Sequence, residues 1–245
     1  MDSITLKVDD VGASYGKFKI SSVSFQLKSG DIMGLVGRSG SGKSTLLKTL
    51  IGLKKPDAGS IITFVNDVEV PLNQLVGYSP QDNSLFPFLT LEENIVTFGR
   101  LNRLKKAEIG QRMNELLSVL HLEASKEKRI KELSGGMQKR ADLAVTLLHA
   151  PKIIVLDEPF TGLDISLQRF IWNFLKGLSS QGNIIIITSH ILSDIQKNCN
   201  EFGLVEDGMY YDTGKLIQKI GESREKSLEF FLEKLFVNRL TQAGR

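Results

Sequence analysis

The stretch Gly37-Arg38-Ser39-Gly40-Ser41-Gly42-Lys43-Ser44 decides how this chain folds, because it fits the pattern G-x-x-x-x-G-K-[ST] at every fixed position. Its surroundings fit as well. The apolar run 32–36 before it predicts a buried strand, and residues 45–50 after it predict a helix. Glycines let backbone N–H groups curl around phosphate oxygens, and a helix N-terminus adds partial positive charge. A chance glycine-rich turn is the alternative, which the flanking strand and helix disfavour.

This stretch predicts a loop that binds a nucleoside triphosphate together with Mg²⁺. Lys43 would reach the β- and γ-phosphates as a point charge, and the Ser44 hydroxyl would bind Mg²⁺. The base would be bound mainly by stacking on an aromatic side chain, which accepts any base, so these residues alone do not distinguish ATP from GTP. The residues predicted to bind the nucleotide here are Gly37, Arg38, Ser39, Gly40, Ser41, Gly42, Lys43, Ser44 and Thr45.

The remaining chain alternates between strand and helix patterns. Val23, Phe25 and Leu27 alternate with polar residues, which predicts a half-buried strand, and the first third reads mainly as strands. From about residue 91 to 150 helical spacing dominates, which indicates a helical insertion. Apolar runs at 153–156 and 184–187 then predict central parallel strands, with a helix between them. The pattern predicts an α/β fold.

An acidic pair, Asp157-Glu158, directly follows the apolar run 153–156 and precedes Pro159. In open α/β sheets ligands bind at the carboxyl ends of strands. Asp157 would hold Mg²⁺, and Glu158 would act as general base toward the attacking water. By itself such a pair is as well explained by a solvent-facing turn, but the phosphate-binding loop favours the functional interpretation.

The segment Leu133-Ser134-Gly135-Gly136-Met137-Gln138-Lys139-Arg140 resembles the signature motif of ATP-binding-cassette (ABC) ATPases. The resemblance extends over nearly the whole chain, and the motifs occur in the family's order. It implies a P-loop NTPase core with a mainly parallel sheet, an N-terminal antiparallel β subdomain and a helical insertion. The single ABC ATPase domain would cover 1–245, with the core at about 1–82 and 151–221, the helical subdomain at 83–150 and a C-terminal helix at 222–245.

The resemblance assigns roles to further residues. Tyr15 resembles the aromatic residue that stacks on adenine, although it could be a surface turn residue. Gln81 resembles the glutamine that links the Mg²⁺ site to the helical subdomain, although a plain loop would also explain it. His190 resembles the switch histidine at the γ-phosphate, or it caps the next helix. Asp164 is the acidic member of the loop that crosses the dimer interface in the family.

The family's signature motif acts on the nucleotide held by the opposite subunit. Ser134, Gly135 and Gly136 would therefore bind ATP in a second copy of the chain, in a head-to-tail homodimer or with a homologous cassette. Ser134 is also a good helix N-cap, and a helix N-terminus aimed at an anion suits this task. The predicted enzyme is an ATPase that energises transport.

The predicted partner is a separate transmembrane permease subunit, because the longest apolar runs fall far short of the ~20 residues that a membrane helix needs. Asn83-Ser84-Leu85-Phe86-Pro87-Phe88-Leu89 resembles the groove that receives this subunit's coupling helix, with Phe86, Phe88 and Leu89 as apolar docking surface. The alternative is that these side chains pack into the chain's own helical insertion. The expected location is the cytoplasmic face of the cell membrane.

Composition fits this picture. The chain has 245 residues and a formal net charge of +3, too weak to indicate nucleic-acid binding, so none is expected. Its one cysteine, Cys199, permits no intrachain disulfide. The N-terminal residues show no signal-peptide pattern.

The direction of transport is less well determined by sequence. Met137, the segment 159–164 and the C-terminal Ser227-Leu228-Glu229 region resemble drug- and lipid-export cassettes, whereas the serine-rich phosphate loop is nearer to importers. Export is the favoured prediction. An importer ATPase, or a soluble ABC ATPase acting in assembly or translation, is the alternative.

Overall fold

A computed structural model describes residues 2–16, 18–189 and 192–212. The predicted C-terminal helix and His190 lie outside these residues. The strands are β1 (Ile4–Tyr15), β2 (Phe18–Lys28), β3 (Ile32–Val36), β4 (Ala58–Val65), β5 (Val68–Glu69), β6 (Val76–Ser79), β7 (Ile153–Leu156), β8 (Ile184–Ser189), β9 (Glu201–Glu206) and β10 (Met209–Asp212). The helices are α1 (Lys43–Leu50), α2 (Leu91–Leu101), α3 (Lys106–Val119), α4 (Gly135–Leu147), α5 (Ile165–Ser180) and α6 (Leu192–Asn198).

The ten described strands form one sheet in the order β5-β4-β1-β2-β10-β9-β3-β8-β7-β6. The half from β9 to β6 is parallel, whereas β1, β2, β4 and β5 pair antiparallel. The two halves meet where β10 pairs with β2 through Met209 and Ser21. The predicted α/β fold, with a mainly parallel core and an N-terminal antiparallel part, is confirmed.

The apolar runs of the parallel half are buried on both faces of the sheet. Ile153 and Val155 pack into the core cluster that includes α1, whereas Ile154 and Leu156 pack into the cluster that includes α4 and α5. Successive side chains of a strand point to opposite faces, so a strand covered on both sides must be apolar throughout. This explains why the run 153–156 shows no polar alternation.

The residues between β6 and β7 form three α-helices, α2, α3 and α4, with two short 3-10 turns between α3 and α4. Thr90 caps α2 in a capping box: its hydroxyl accepts from the Glu93 backbone N–H, and the Glu93 carboxylate accepts from the Thr90 backbone N–H. In α3 the buried residues are Ile109, Met113 and Leu117, at the spacing of one helix face. These side chains join the same core cluster as the α4 side of the sheet. The helical part therefore shares its core with the sheet. In the described part of the chain, no helix is long and apolar enough to cross a bilayer.

Candidate functional site

The loop from residue 37 to 42 joins β3 to α1 and requires glycine at two positions. A Cβ on Gly37 would lie 2.3 Å from the Val205 carbonyl oxygen. Gly42 has φ +103° and is the N-cap of α1, and a Cβ there would lie 2.3 Å from the Phe18 ring. Residues that carry a side chain rarely adopt a positive φ of this kind. The loop can therefore lie against β2 and β9 only with glycine at these two places.

Lys43 begins α1 with a side chain that is only 6% exposed. Its Nζ donates to the carbonyl oxygens of Gly37 at 2.6 Å and Arg38 at 2.9 Å. It also lies 3.9 Å from Glu158 Oε1. Burial lowers the pKa of Lys43, while Glu158, Asp157 and Glu206 oppose that shift through their charge. The ammonium is thus held inside the phosphate-binding loop, next to the predicted general base.

Asp157 and Glu158 follow β7 and are bridged by Thr188 of the neighbouring β8. The Thr188 hydroxyl donates to Asp157 Oδ1 at 2.6 Å and accepts from the Glu158 backbone N–H at 2.7 Å. Glu158 has φ +48°, which is uncommon for a residue with a side chain. Its Oε2 accepts a bond from the Thr161 hydroxyl at 3.2 Å. The turn that aims Glu158 is therefore held by Thr188 from the neighbouring strand and by Thr161, three residues further along the same turn.

A cavity of about 510 Å³ joins the loop to residues of three other segments. Its lining residues are Tyr15, Phe18, Ser39, Gly40, Gly42, Lys43, Ser44, Thr45, Gln81 and Glu158. Tyr15 is 73% exposed, which leaves its ring open to a ligand. Of the predicted loop residues, Gly37, Arg38 and Ser41 lie outside this lining, as does Asp157. Phe18 is an addition that sequence reasoning missed, although it begins β2 close to Tyr15.

A second cavity, of about 360 Å³, lies between the Gln81 segment, the start of α4 and residues 161–163. Gln81 lines both cavities. Its backbone carbonyl accepts a bond from Lys139 Nζ of α4 at 2.6 Å. Gln81 therefore lies between the phosphate-binding loop and the signature helix, which is the position that its predicted linking role requires.

Ser134 and Asp164 are both helix N-caps. The Ser134 hydroxyl accepts from the Met137 N–H at 3.3 Å, and Asp164 Oδ1 accepts from the Leu167 N–H at 2.9 Å. Ser134 and Gly135 are exposed, and the lining of the first cavity includes none of the residues 134–136. The structure brings nine of the predicted residues together in the first cavity. The exposed start of the signature motif lies outside that cavity, and its Gly135 lines the second one.

A phosphate-binding loop on a mainly parallel sheet, facing a carboxylate pair and a glutamine, defines a P-loop nucleotide-binding cassette. The model of the family described as ABC transporter matches residues 20–161, more than half of the chain. The chain therefore belongs to the ABC transporter family, as its ATP-binding domain. This family hydrolyses ATP to power transport, and the prediction of an ABC ATPase is confirmed at that level.

Relatives and solved structures agree with this membership. The chain is 34% identical over 236 residues to "ABC transporter G family member 20" of Dictyostelium discoideum, covering 95% of this chain but 32% of the relative. It is 35% identical over 212 residues to "Nod factor export ATP-binding protein I" of Rhizobium etli, covering 84% of this chain and 66% of the relative. The chain thus spans about a third of the first relative's length and about two thirds of the second's.

Among solved structures, "Structure of ATP binding subunit of ABC transporter" superimposes with a TM-score of 0.80 at 26% identity. The match covers 94% of this chain and 99% of that one. An ATP-binding cassette from an ABC transporter in its ADP conformation superimposes with a TM-score of 0.76 at 22% identity, which bears on the fold alone.

Proposed function

We propose that this chain is the ATP-hydrolysing subunit of a transporter, that two copies act head to tail, and that the pair drives export through a transmembrane subunit. The observation that supports this most directly is the cavity that has Lys43 and Glu158 on its wall while the signature motif lies elsewhere, exposed. A site of this kind holds a nucleotide from one side and needs a second surface to cover it.

In the proposed reaction, the loop N–H groups and Lys43 bind the β- and γ-phosphates, and Tyr15 stacks on the base. Glu158 accepts the proton of the water that attacks the γ-phosphate. Its turn is held by Thr188 and Thr161, so the carboxylate is aimed before the substrate arrives. We assign His190 to the γ-phosphate on the resemblance alone, because it lies outside the described residues.

Ser44, Gln81 and Asp157 would hold Mg²⁺. Ser44 and Gln81 line the same cavity, and Asp157 follows the neighbouring strand. Hydroxyl, amide and carboxylate oxygens are the donors that Mg²⁺ prefers alongside substrate phosphates and water. When bound, the ion would neutralise charge that develops on the phosphate oxygens.

The proposed head-to-tail pair is supported by the exposed start of α4. The first N–H groups of a helix have no partner within it, and α4 presents Gly135 and Gly136 there. A second copy would bring these groups to the γ-phosphate, with Asp164 beside the interface. Turnover should then rise as the square of concentration when the chain is dilute. Strict proportionality down to the lowest measurable concentration would contradict the shared site.

The Glu158→Gln variant tests the catalytic assignment. The amide keeps the shape of the side chain but cannot accept the proton, so we expect ATP binding to persist and a nucleotide-bound dimer to accumulate. Size-exclusion chromatography with ATP would show the dimer, and phosphate-release assays would show the loss of turnover. Hydrolysis at the wild-type rate would remove Glu158 from this role.

A transmembrane partner is supported by the apolar surface after Gln81. Phe88 is 71% exposed and Phe86 is 45% exposed, whereas Leu89 is partly buried. Phe86 also lies 5.7 Å from Phe98, and Lys131 Nζ lies 4.9 Å from the Phe88 ring, so part of this surface does pack on the helical insertion. Phe88 offers the larger free surface for a coupling helix.

Phe88→Asp should therefore weaken co-purification with the cognate membrane subunit. Val119→Asp, at another exposed apolar position of the same helical part, is the matched control and should leave it unchanged. Equal recovery of both variants would argue against docking at Phe88. A wild-type chain that never fractionates with membranes would instead favour the soluble assembly or translation factor, and would contradict the proposed cytoplasmic membrane face.

Export is supported by the Nod factor export relatives and by the three sequence features described above. Membrane vesicles containing the complete transporter, with the cassettes outside and ATP added, would test the direction. Accumulation of the transported molecule inside such inverted vesicles is expected, and ATP-driven depletion would indicate an importer.

A further inference from the structure

Asp142 of α4 is a buried carboxylate that the proposed reaction does not use. Its side chain is 0% exposed. Carboxylates are almost never fully buried unless partners satisfy them. The hydrogen bonds to Asp142 come from hydroxyl and backbone N–H groups, all on one segment of the chain.

These bonds fix both ends of the segment 79–84, which contains Gln81 and is called the Gln81 segment. Asp142 Oδ2 accepts from the Ser79 hydroxyl, at the end of β6. Asp142 Oδ1 accepts from the Ser84 backbone N–H at 3.0 Å and from the Ser84 hydroxyl at 2.9 Å. Gln81 lies between Ser79 and Ser84. One carboxylate thus fixes the two anchor points of the segment that reaches into the nucleotide cavity.

Two more residues of α4 hold the middle of the same segment. Lys139 Nζ donates to the Gln81 carbonyl oxygen at 2.6 Å, and Gln138 Oε1 accepts from Asn83 Nδ2 at 3.2 Å. Both contacts leave the Gln81 side chain available to the cavity that it lines. Because these residues and Asp142 share one helix, the Gln81 segment is attached to a rigid element rather than to a loop.

The same helix carries the signature motif about two turns before Asp142. A displacement of Gln81 toward a nucleotide in its own cavity must therefore pull on α4, whose N-terminus is exposed at Ser134 and Gly135. Energetic coupling between distant sites is carried by hydrogen-bond networks and rigid secondary-structure elements of this kind.

We propose that Asp142 is a positioning residue that ties the occupancy of one nucleotide site to the placement of the signature motif serving the other. The inference rests on the proposed head-to-tail function. Asp142 acts through Gln81 and touches neither nucleotide. Its two oxygens suit the task because they accept bonds from both ends of the segment at once.

The test compares three variants of the full chain. Asp142→Ala removes the acceptors. Asp142→Asn keeps one carboxamide oxygen for Ser84 and an NH₂ group that Ser79 can accept from. Thr146→Val is the matched control, since Thr146 is equally a buried polar residue of α4 but bonds to the Tyr78 carbonyl oxygen in β6 and not to the Gln81 segment. Each variant is assayed for binding of a fluorescent ATP analogue by the dilute chain, for kcat, and for the Hill coefficient in ATP.

We expect Asp142→Ala to lower kcat about tenfold, because it breaks a network of contacts that couples the two sites. Nucleotide affinity should stay within about twofold of wild type. The Hill coefficient should fall toward one. Asp142→Asn should recover most of the lost rate, and Thr146→Val should match wild type in all three measurements. Wild-type kcat and cooperativity in Asp142→Ala would overturn the proposal, as would an equal loss in Thr146→Val.

A cycle with Gln81→Ala separates positioning from general support of the fold. If Asp142 acts through Gln81, then Asp142→Ala lowers kcat little further once Gln81 is already alanine. A full additional loss in that background would contradict the proposal. Should Asp142→Ala fail to fold, Ser84→Ala takes its place, because Ser84 is exposed and its hydroxyl supplies one of the three bonds. It should lower kcat about threefold alone and not at all beside Gln81→Ala.

The outcomes also separate this inference from the proposed function. A wild-type chain that hydrolyses no ATP at any concentration, alone or with its membrane subunit, would contradict the proposed function. A cooperative wild-type ATPase whose cooperativity survives Asp142→Ala would contradict only the role of Asp142.

Discussion

Thr188→Val is the substitution that most directly tests how the catalytic turn is held. Thr188 is fully buried at the end of β8, and its hydroxyl bonds both to Asp157 and to the backbone of Glu158. Valine has nearly the same shape, so the change removes the hydroxyl with little effect on packing. Asp157 then loses one donor, and the Glu158 N–H loses its acceptor at a residue already held at φ +48°.

Each loss has a known magnitude. A hydrogen bond to a charged group contributes about 1.5–3 kcal/mol, and a buried donor without a partner costs about 1–3 kcal/mol. The Glu158 bond is only part-buried, so we take the lower end for it and expect a loss of about 3 kcal/mol in the free energy of unfolding. For a chain of this length, that lowers Tm by about 6–12 °C. Misplacement of the Glu158 carboxylate should also lower kcat by about tenfold to a hundredfold.

Thermal and denaturant unfolding, with ATPase rates at saturating ATP, would measure both effects. Thr188→Ser is the matched control, because it keeps the hydroxyl and loses only a methyl group. We expect it to retain most of the activity. A Thr188→Val protein with wild-type Tm and kcat would refute the reasoning, and a serine variant as impaired as the valine variant would assign the loss to packing.

Three further predictions follow from local environments. Burial raises the pKa of the Cys199 thiol to about 12, so a thiol reagent should label the native chain far more slowly than the unfolded one, and equal rates would contradict its burial. Burial also lowers the pKa of His149 below 6.5, against an opposing bond to the Val76 carbonyl. The unfolded state therefore binds a proton first as pH falls, so the free energy of unfolding should decline below about pH 6.5. Denaturant titrations at several pH values should show a smaller decline in His149→Gln, and the same dependence on pH in both proteins would refute this. Gly42→Ala should lower nucleotide affinity at least about tenfold because its Cβ meets Phe18 at positive φ, whereas Gly177→Ala, in open space on α5, should leave affinity unchanged in the same titration.

The core strands could be predicted from sequence because their burial leaves a strong pattern. The runs 32–36 and 153–156 coincide with β3 and β7, since a strand covered on both faces tolerates few polar side chains. The strands β9 and β10 give no such signal, because they mix polar, aromatic and apolar residues near the junction with β2. Their pairing is set by distant segments, which sequence patterns do not report.

The candidate site divides in the same way. The phosphate-binding loop and the acidic pair were predictable because backbone geometry and charge demand particular residue types in a row. The sequence pattern does not point to Thr188, although it follows the apolar run 184–187 near the carboxyl end of β8, where functional side chains gather. Asp142 gives a weaker signal, which is a carboxylate among the alanines and leucines of a predicted helix. Its partners lie about 60 residues away in sequence, so helical periodicity does not reveal them.

The order of the parallel strands explains why these groups lie close to one another, on or beside one cavity. The phosphate-binding loop follows β3, Thr188 is the next-to-last residue of β8, Asp157 follows β7, and Gln81 lies just beyond β6. These four strands are consecutive neighbours in the sheet. Neighbouring strands lie about 4.8 Å apart, so the four carboxyl ends span about 14 Å. Thr188 sits on the second of the four, between the loop that holds Lys43 and the strand that carries Asp157 and Glu158. Loss of its hydroxyl should therefore lower kcat more than nucleotide affinity. The phosphate-binding loop is held by the close packing of Gly37 and Gly42 and by α1, and none of these contacts involves the Thr188 hydroxyl.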